Sequence, residues 1–151
     1  MDVEGAFSHT SSQIICEEVA TRGVPRPVVN WMINLLGTRK ITSELGGCRC
    51  SGTGTPQGGV TSPLDWNLVA DGLLWLLNSG VCYAQAFADD FAAVTVSGEL
   101  NAVFNLMQCM LKKVSSWCLE TGLNVNLDKT ELVIFTKKHR VPPFISPSLT
   151  G

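Results

Sequence analysis

The run Phe87-Ala88-Asp89-Asp90-Phe91 constrains the fold of this chain more than any other segment, because it sets two adjacent carboxylates between the apolar stretches 81–86 and 92–96. Two strands that would bury their side chains, joined by a short acidic turn, read as a hairpin. Charged groups inside an apolar hairpin carry a desolvation cost that something must offset, and a divalent cation with its preference for hard oxygen ligands is the natural candidate. The alternative is an acidic turn left in water, since Asp is common wherever a strand reverses. The run alone leaves both readings open.

Composition narrows the field. The chain has 151 residues, enough for one domain with a real core, and 45% of them are hydrophobic against 16% charged, which is ordinary globular usage. A net charge of -2 argues against a self-sufficient nucleic-acid binder, because phosphate contacts need clustered Lys and Arg. Either nucleic acid is not the partner or the basic surface lies elsewhere. Arg22, Arg26, Arg39 and Lys40 are dispersed and do not make a patch.

Six cysteines are spaced irregularly, and Cys16, Cys109 and Cys118 sit in apolar periodic segments where small core residues are expected. Cys48-Arg49-Cys50 has no second pair or histidines at zinc-ligand spacing, so no zinc site is expected. The first residues do not read as a basic, apolar leader, so no secretory signal is expected, and the longest apolar stretch, 64–77, contains Asp65, Asn67 and Asp71, which disqualifies it as a membrane span. The expected setting is reducing and intracellular, with nucleus and cytoplasm not distinguished.

Helices and strands alternate. Ile14, Ile15 and Val19 predict a helix over 10–21, ended by Gly23 and Pro25; Pro27 starts a second to Leu36, with Val28, Trp31 and Leu35 on one face. Two short strands are expected within 41–50 around Gly46-Gly47, then a Gly- and Thr-rich loop over 51–59. Ser62-Pro63 opens a third helix to about Asn78. After the hairpin, Val103, Met107, Met110, Leu111, Val114, Trp117 and Cys118 recur at intervals of three and four, the mark of a helix with one buried stripe over 100–120. Strands are expected at 123–126 and 131–136, and the Pro-rich segment 139–151 reads as a poorly structured tail behind a domain of residues 1–138.

Four motifs occur in a fixed order: Asp2-Val3-Glu4-Gly5-Ala6-Phe7; Thr55-Pro56-Gln57-Gly58-Gly59 with Ser62-Pro63; Phe87-Ala88-Asp89-Asp90; and Gly122-Leu123 with Lys129-Thr130. This set resembles the palm of a reverse transcriptase. The first motif, together with the run from Trp66 to Leu74, is similar to the LINE-type, non-long-terminal-repeat retrotransposon branch. The resemblance spans Asp2 to about Lys138.

It implies an α+β fold: a polymerase palm with a ferredoxin-like antiparallel sheet built from the Asp2 strand, the Asp-Asp hairpin and the late strands, helices on one face and the other face open. It further implies RNA-directed DNA polymerase activity, a two-metal transfer of a deoxynucleotide to a primer 3'-hydroxyl on an RNA template. The cofactors implied are two Mg2+ ions, with Mn2+ able to substitute, held by Asp2 and Asp89 with Asp90 more peripheral. Phe7 would lie beneath the incoming sugar and collide with a 2'-hydroxyl. Gln57 and Gly58 would contact the incoming nucleotide and template pair. Lys129 would protonate or neutralise the departing pyrophosphate. On residue type alone, Phe7 reads equally as core, Lys129 as a solvated turn residue, and Pro56-Gln57-Gly58-Gly59 as a simple loop. Glu4, two residues from Asp2, shares its face if the segment is a strand.

The sequence also departs from the family pattern. Ser8-His9 follow the motif aromatic, Leu127 precedes the lysine motif where Pro is common, and Thr61 and Asp65 stand where leucines are usual. An unpartnered Asp in that helix costs on the order of 2 to 7 kcal/mol. The basic fingers before Asp2 and the thumb after the last strands, which the resemblance implies as partners of the palm, are expected to be missing. A non-catalytic remnant or a protein-interaction module derived from a retrotransposon is therefore the second reading.

Overall fold

The computed structural model describes residues 1–43, 47–50, 53–56, 58–137, 139–140 and 143–149, with 40–43 and 47–50 described by backbone alone. Strand β1 (Asp2–Glu4) passes through Gly5 into the one-turn helix α1 (Ala6–His9). Gly5 has φ 60°, and a Cβ there would collide with the His9 ring, so glycine is what lets strand and helix abut. Helix α2 (Ser12–Thr21) follows, capped by the Ser11 hydroxyl accepting from the Gln13 N–H, and buries Ile15, Cys16 and Val19.

Helix α3 (Arg26–Gly37) carries Pro27 in its first turn and packs against α2. It buries Val29, Met32 and Leu36, whereas Val28, Trp31 and Leu35, the face expected to pack, stand exposed. Two apolar stripes run side by side along this helix, and periodicity cannot choose between them; packing buries the other one. A separate antiparallel hairpin follows, β2 (Lys40–Ser43) with β3 (Gly47–Cys50), matching the two short strands expected there. Gly46 lies outside the described residues.

Helix α4 (Ser62–Asn78) buries Trp66, Val69, Ala70, Leu73 and Leu77. It also buries Asp65, which is 1% exposed and has no hydrogen-bond partner on either carboxylate oxygen. The hairpin strands β4 (Cys82–Phe87) and β5 (Asp90–Thr95) come next, then α5 (Leu100–Thr121), which buries Phe104, Met110, Leu111, Val114 and Trp117 and ends at Gly122 with φ 68°. Cys118 on this helix is half-buried, but Cys109 faces solvent and is not a core residue. Strand β6 (Asn124–Asn126) completes the set.

The main sheet has the order β4-β5-β1-β6, with every neighbouring pair antiparallel. This is the strand order of the ferredoxin-like split β-α-β arrangement, with α4 and α5 as the two crossovers. Val3, Ala84 and Phe91 point into the hydrophobic core with the helices, and Glu4, Tyr83, Gln85, Phe87 and Asp90 alternate outward to an open face. The fold is thus the mixed α+β architecture expected of a palm.

One expected strand is absent. Residues 131–136 form no strand, and Leu132, Val133 and Phe135 are exposed. Residues 143–149 carry no helix or strand, yet Phe144 stacks on Phe104 with ring centroids 4.4 Å apart. Gln108 meanwhile exchanges two hydrogen bonds with the Ser148 backbone.

Candidate active site

The register of the sheet builds the site. Asp90 lies opposite Asp2, Phe87 opposite Asp90, and Asn126 opposite Asp2 on its other side, so the four form one row across the open face. Met1 and Phe91 exchange both backbone hydrogen bonds, at 2.9 and 2.7 Å, and the Val3 N–H donates to the Asp89 carbonyl at 3.0 Å. Asp2 and Asp90 therefore occupy a non-hydrogen-bonded pair, the position where facing side chains approach most closely. Like charges directly opposite destabilise a sheet, so this position calls for a cation.

Asp89 sits in the two-residue turn of the hairpin. Its neighbour Ala88 has φ 53°, a left-handed conformation that tight hairpin turns require and that a residue with a Cβ adopts at a cost. The Trp66 indole holds the turn in place, Nε1 donating to the Ala88 carbonyl at 2.7 Å from a ring that is fully buried. The carboxylate turn thus rests directly on the helical core.

Lys129 reaches the same corner from the far edge. The Asn126 side-chain oxygen accepts from the backbone N–H groups of Asp128 and Lys129, at 3.1 and 3.2 Å, and the Thr130 hydroxyl donates to the Asn126 carbonyl at 2.7 Å. This Asx turn folds the chain back on itself after β6. The Lys129 Nζ then donates to Asp2 Oδ2 at 3.0 Å. The hydrogen bond and the charge of Asp2 hold the Lys129 ammonium above the ordinary lysine value, and Asp89 and Asp90 push the same way. One ammonium lies in the field of all three carboxylates. Among the described residues, no three His, Cys, Asp or Glu side chains close on a single point.

The Gly-rich loop is moored beside Phe7. The Thr55 N–H donates to the Phe7 carbonyl at 2.6 Å and the Gly54 N–H to the Thr10 carbonyl at 2.7 Å. Gly54, at φ 75°, lies so close to the Phe7 and Ser8 carbonyls that a Cβ could not be accommodated. Arg39 braces the loop by donating to the carbonyls of Thr53, at 2.9 Å, and Gly54. The Gly59 N–H donates to the Pro56 carbonyl at 2.9 Å, and Gly58 has φ 82°, a left-handed conformation that glycine adopts without strain. Gln57 lies outside the described residues. The half-buried Phe7 ring packs 6.2 Å from the Trp66 ring, which links it to the carboxylate turn.

The structure therefore gathers Asp2, Asp89, Asp90 and Lys129 at one corner. It connects Phe7 to that corner through Trp66 and to the Gly58 turn through Thr55. Sequence alone assigns no role to Trp66 or Asn126. The signal for Asn126 was present, an Asn two residues before an Asp on a turn; nothing in the sequence reveals an indole reaching the hairpin. Arg22 pairs with Asp71 at 2.6 Å in an ion pair exposed to solvent.

The mixed α+β fold is consistent with a fragment of a polymerase palm, and comparison with known proteins gives the family. The family described as "Reverse transcriptase (RNA-dependent DNA polymerase)" matches residues 1–143, and the chain belongs to it. Its relatives place it with LINE-type elements. It is 28% identical over 148 residues, 96% of this chain, to a "Putative 115 kDa protein in type-1 retrotransposable element R1DM" of Drosophila melanogaster. It is 32% identical over 87 residues, 57% of this chain, to a "Retrovirus-related Pol polyprotein from type-1 retrotransposable element R1 2" of Nasonia vitripennis. The chain spans only 14% and 21% of the lengths of these two relatives. No helix among the described residues is long and apolar enough to cross a membrane.

Proposed function

We propose that this chain is the palm of an RNA-directed DNA polymerase that adds deoxynucleotides to a primer 3'-hydroxyl on an RNA template, residues 1–138 forming the working unit and 139–151 its tail. The observation that carries the reading is Asp2 facing Asp90 across the sheet beside the Asp89 turn, with the Lys129 ammonium bonded to Asp2. That corner suits a hard divalent ion, because it is already organised around a cation and offers carboxylate oxygens. Mg2+ needs only one or two protein carboxylates where water and substrate phosphates complete its shell, so the absence of a closed cage is no obstacle. Asp2 and Asp89 would be the ligands of two Mg2+ ions, or of Mn2+ in their place, with Asp90 more peripheral. Ions bound there would stabilise charge developing on the attacking and leaving oxygens.

The remaining roles belong to the chain itself. Phe7, supported by Trp66, would exclude a 2'-hydroxyl from the sugar site. The left-handed bend at Gly58 lets the backbone approach the nascent pair closely, with Gln57 beside it. Lys129 would turn from Asp2 to neutralise or protonate the departing pyrophosphate. Template, primer and dNTP would be held jointly with fingers and thumb, in an intracellular setting. Primer extension on an RNA template by a polyprotein carrying these residues tests the reading. Asp2→Asn and Asp89→Asn should each abolish extension, and extension that survives both would overturn it. The second reading, a non-catalytic remnant, is favoured by one feature, the unpartnered Asp65 in the core. Robust extension by the same protein would dismiss it.

A further inference from the structure

We infer that Lys129 is a resident counter-ion of the metal site, holding the Asp2 carboxylate in place until a divalent cation displaces it. The inference rests on the metal reading above and concerns a state before catalysis, distinct from any part Lys129 plays toward pyrophosphate.

Asp2 is only 14% exposed at its side chain and lies across a non-hydrogen-bonded pair from Asp90, so without a cation the corner holds two facing negative charges with little water around one of them. Lys129 supplies the missing charge at 3.0 Å. Its delivery is built in. Asn126 stands in the same row as Asp2 and Asp90, and its side chain closes the turn that carries Lys129 back. The ammonium itself is 67% exposed. A charge held on a flexible stem in water is tethered weakly enough to leave. It occupies an Asp2 oxygen that a metal ion would require, so the two cations compete for one ligand.

Calorimetric titration with Mn2+ at low ionic strength, without substrate, tests this on the wild-type chain, Lys129→Ala, Asn126→Ala and Asp2→Asn. Exposed ion pairs are modest, so Lys129→Ala should bind Mn2+ about two- to fivefold more tightly than wild type. Asn126→Ala should shift in the same direction. The Mn2+-induced rise in melting temperature should also be larger in Lys129→Ala. Lys129 is exposed, so its loss will not unfold the chain. Equal or weaker Mn2+ binding by Lys129→Ala, with Asp2→Asn abolishing it, would overturn the counter-ion role and leave the metal site standing. Mn2+ binding absent from every variant, or unaffected by Asp2→Asn, would overturn the metal reading and this inference together.

Discussion

Asp65 is a buried carboxylate with no hydrogen-bond partner on either oxygen, and its desolvation opposes folding. Burial pushes its carboxyl above the ordinary value of 3.8, and the nearby Thr61 side chain counters this only in part. The folded state therefore binds the proton more tightly than the unfolded chain. Stability from this group is fully present below pH 3.8 and is lost as pH rises through the raised folded value. Asp65→Leu should raise unfolding stability at pH 7 by on the order of 2 kcal/mol and flatten the pH dependence above 3.8, both read from urea denaturation across pH. Ala88 stores a smaller strain: Ala88→Gly should gain about 0.5–1 kcal/mol, seen as a higher melting temperature. The Asp65 problem was legible in the sequence because an acid interrupted an apolar helical face. The strain at Ala88 was not, since only the register of the hairpin forces that residue into the left-handed region.

At the scale of elements, periodicity was a sound guide where one face was apolar and a poor one where two were. Helix α5 shows a single stripe, and most of the residues it predicts are in the core. Helix α3 shows two, and the sequence pointed to the one that remains exposed, because the choice is made by α2 and not by α3 itself. Residues 131–136 look like a strand in isolation, but a strand needs a paired neighbour, and this segment joins neither sheet. The sequence held the carboxylates of the corner as types and spacings; the groups that support them, Trp66 and Asn126, appear only once the elements are assembled. Trp66→Phe keeps the apolar bulk but removes the indole bond to the Ala88 carbonyl. It should cost about 1–2 kcal/mol in chemical denaturation and should loosen the Asp89 turn, read as faster amide exchange at Ala88 and Asp89.

For the whole molecule, charge decides what this chain can do by itself. With 11 Lys and Arg against 13 Asp and Glu, and with Arg22 and Arg39 occupied internally, it offers little to a polyanionic duplex. The purified 151-residue chain should therefore show no measurable primer extension and only weak binding to an RNA–DNA hybrid in a filter or anisotropy assay at 0.15 M salt, about physiological. Tight hybrid binding by the chain alone would contradict this.

Strand β1 is the first element of the chain, yet it lies between β5 and β6, so both of its sheet partners come from residues 90 onward. During synthesis this strand must wait, unpaired, until residues 90 onward have been made. At about 5–20 residues per second that is a delay of several seconds at least. The carboxylate corner is accordingly among the last parts of the fold to exist and the most exposed to mispairing on the way.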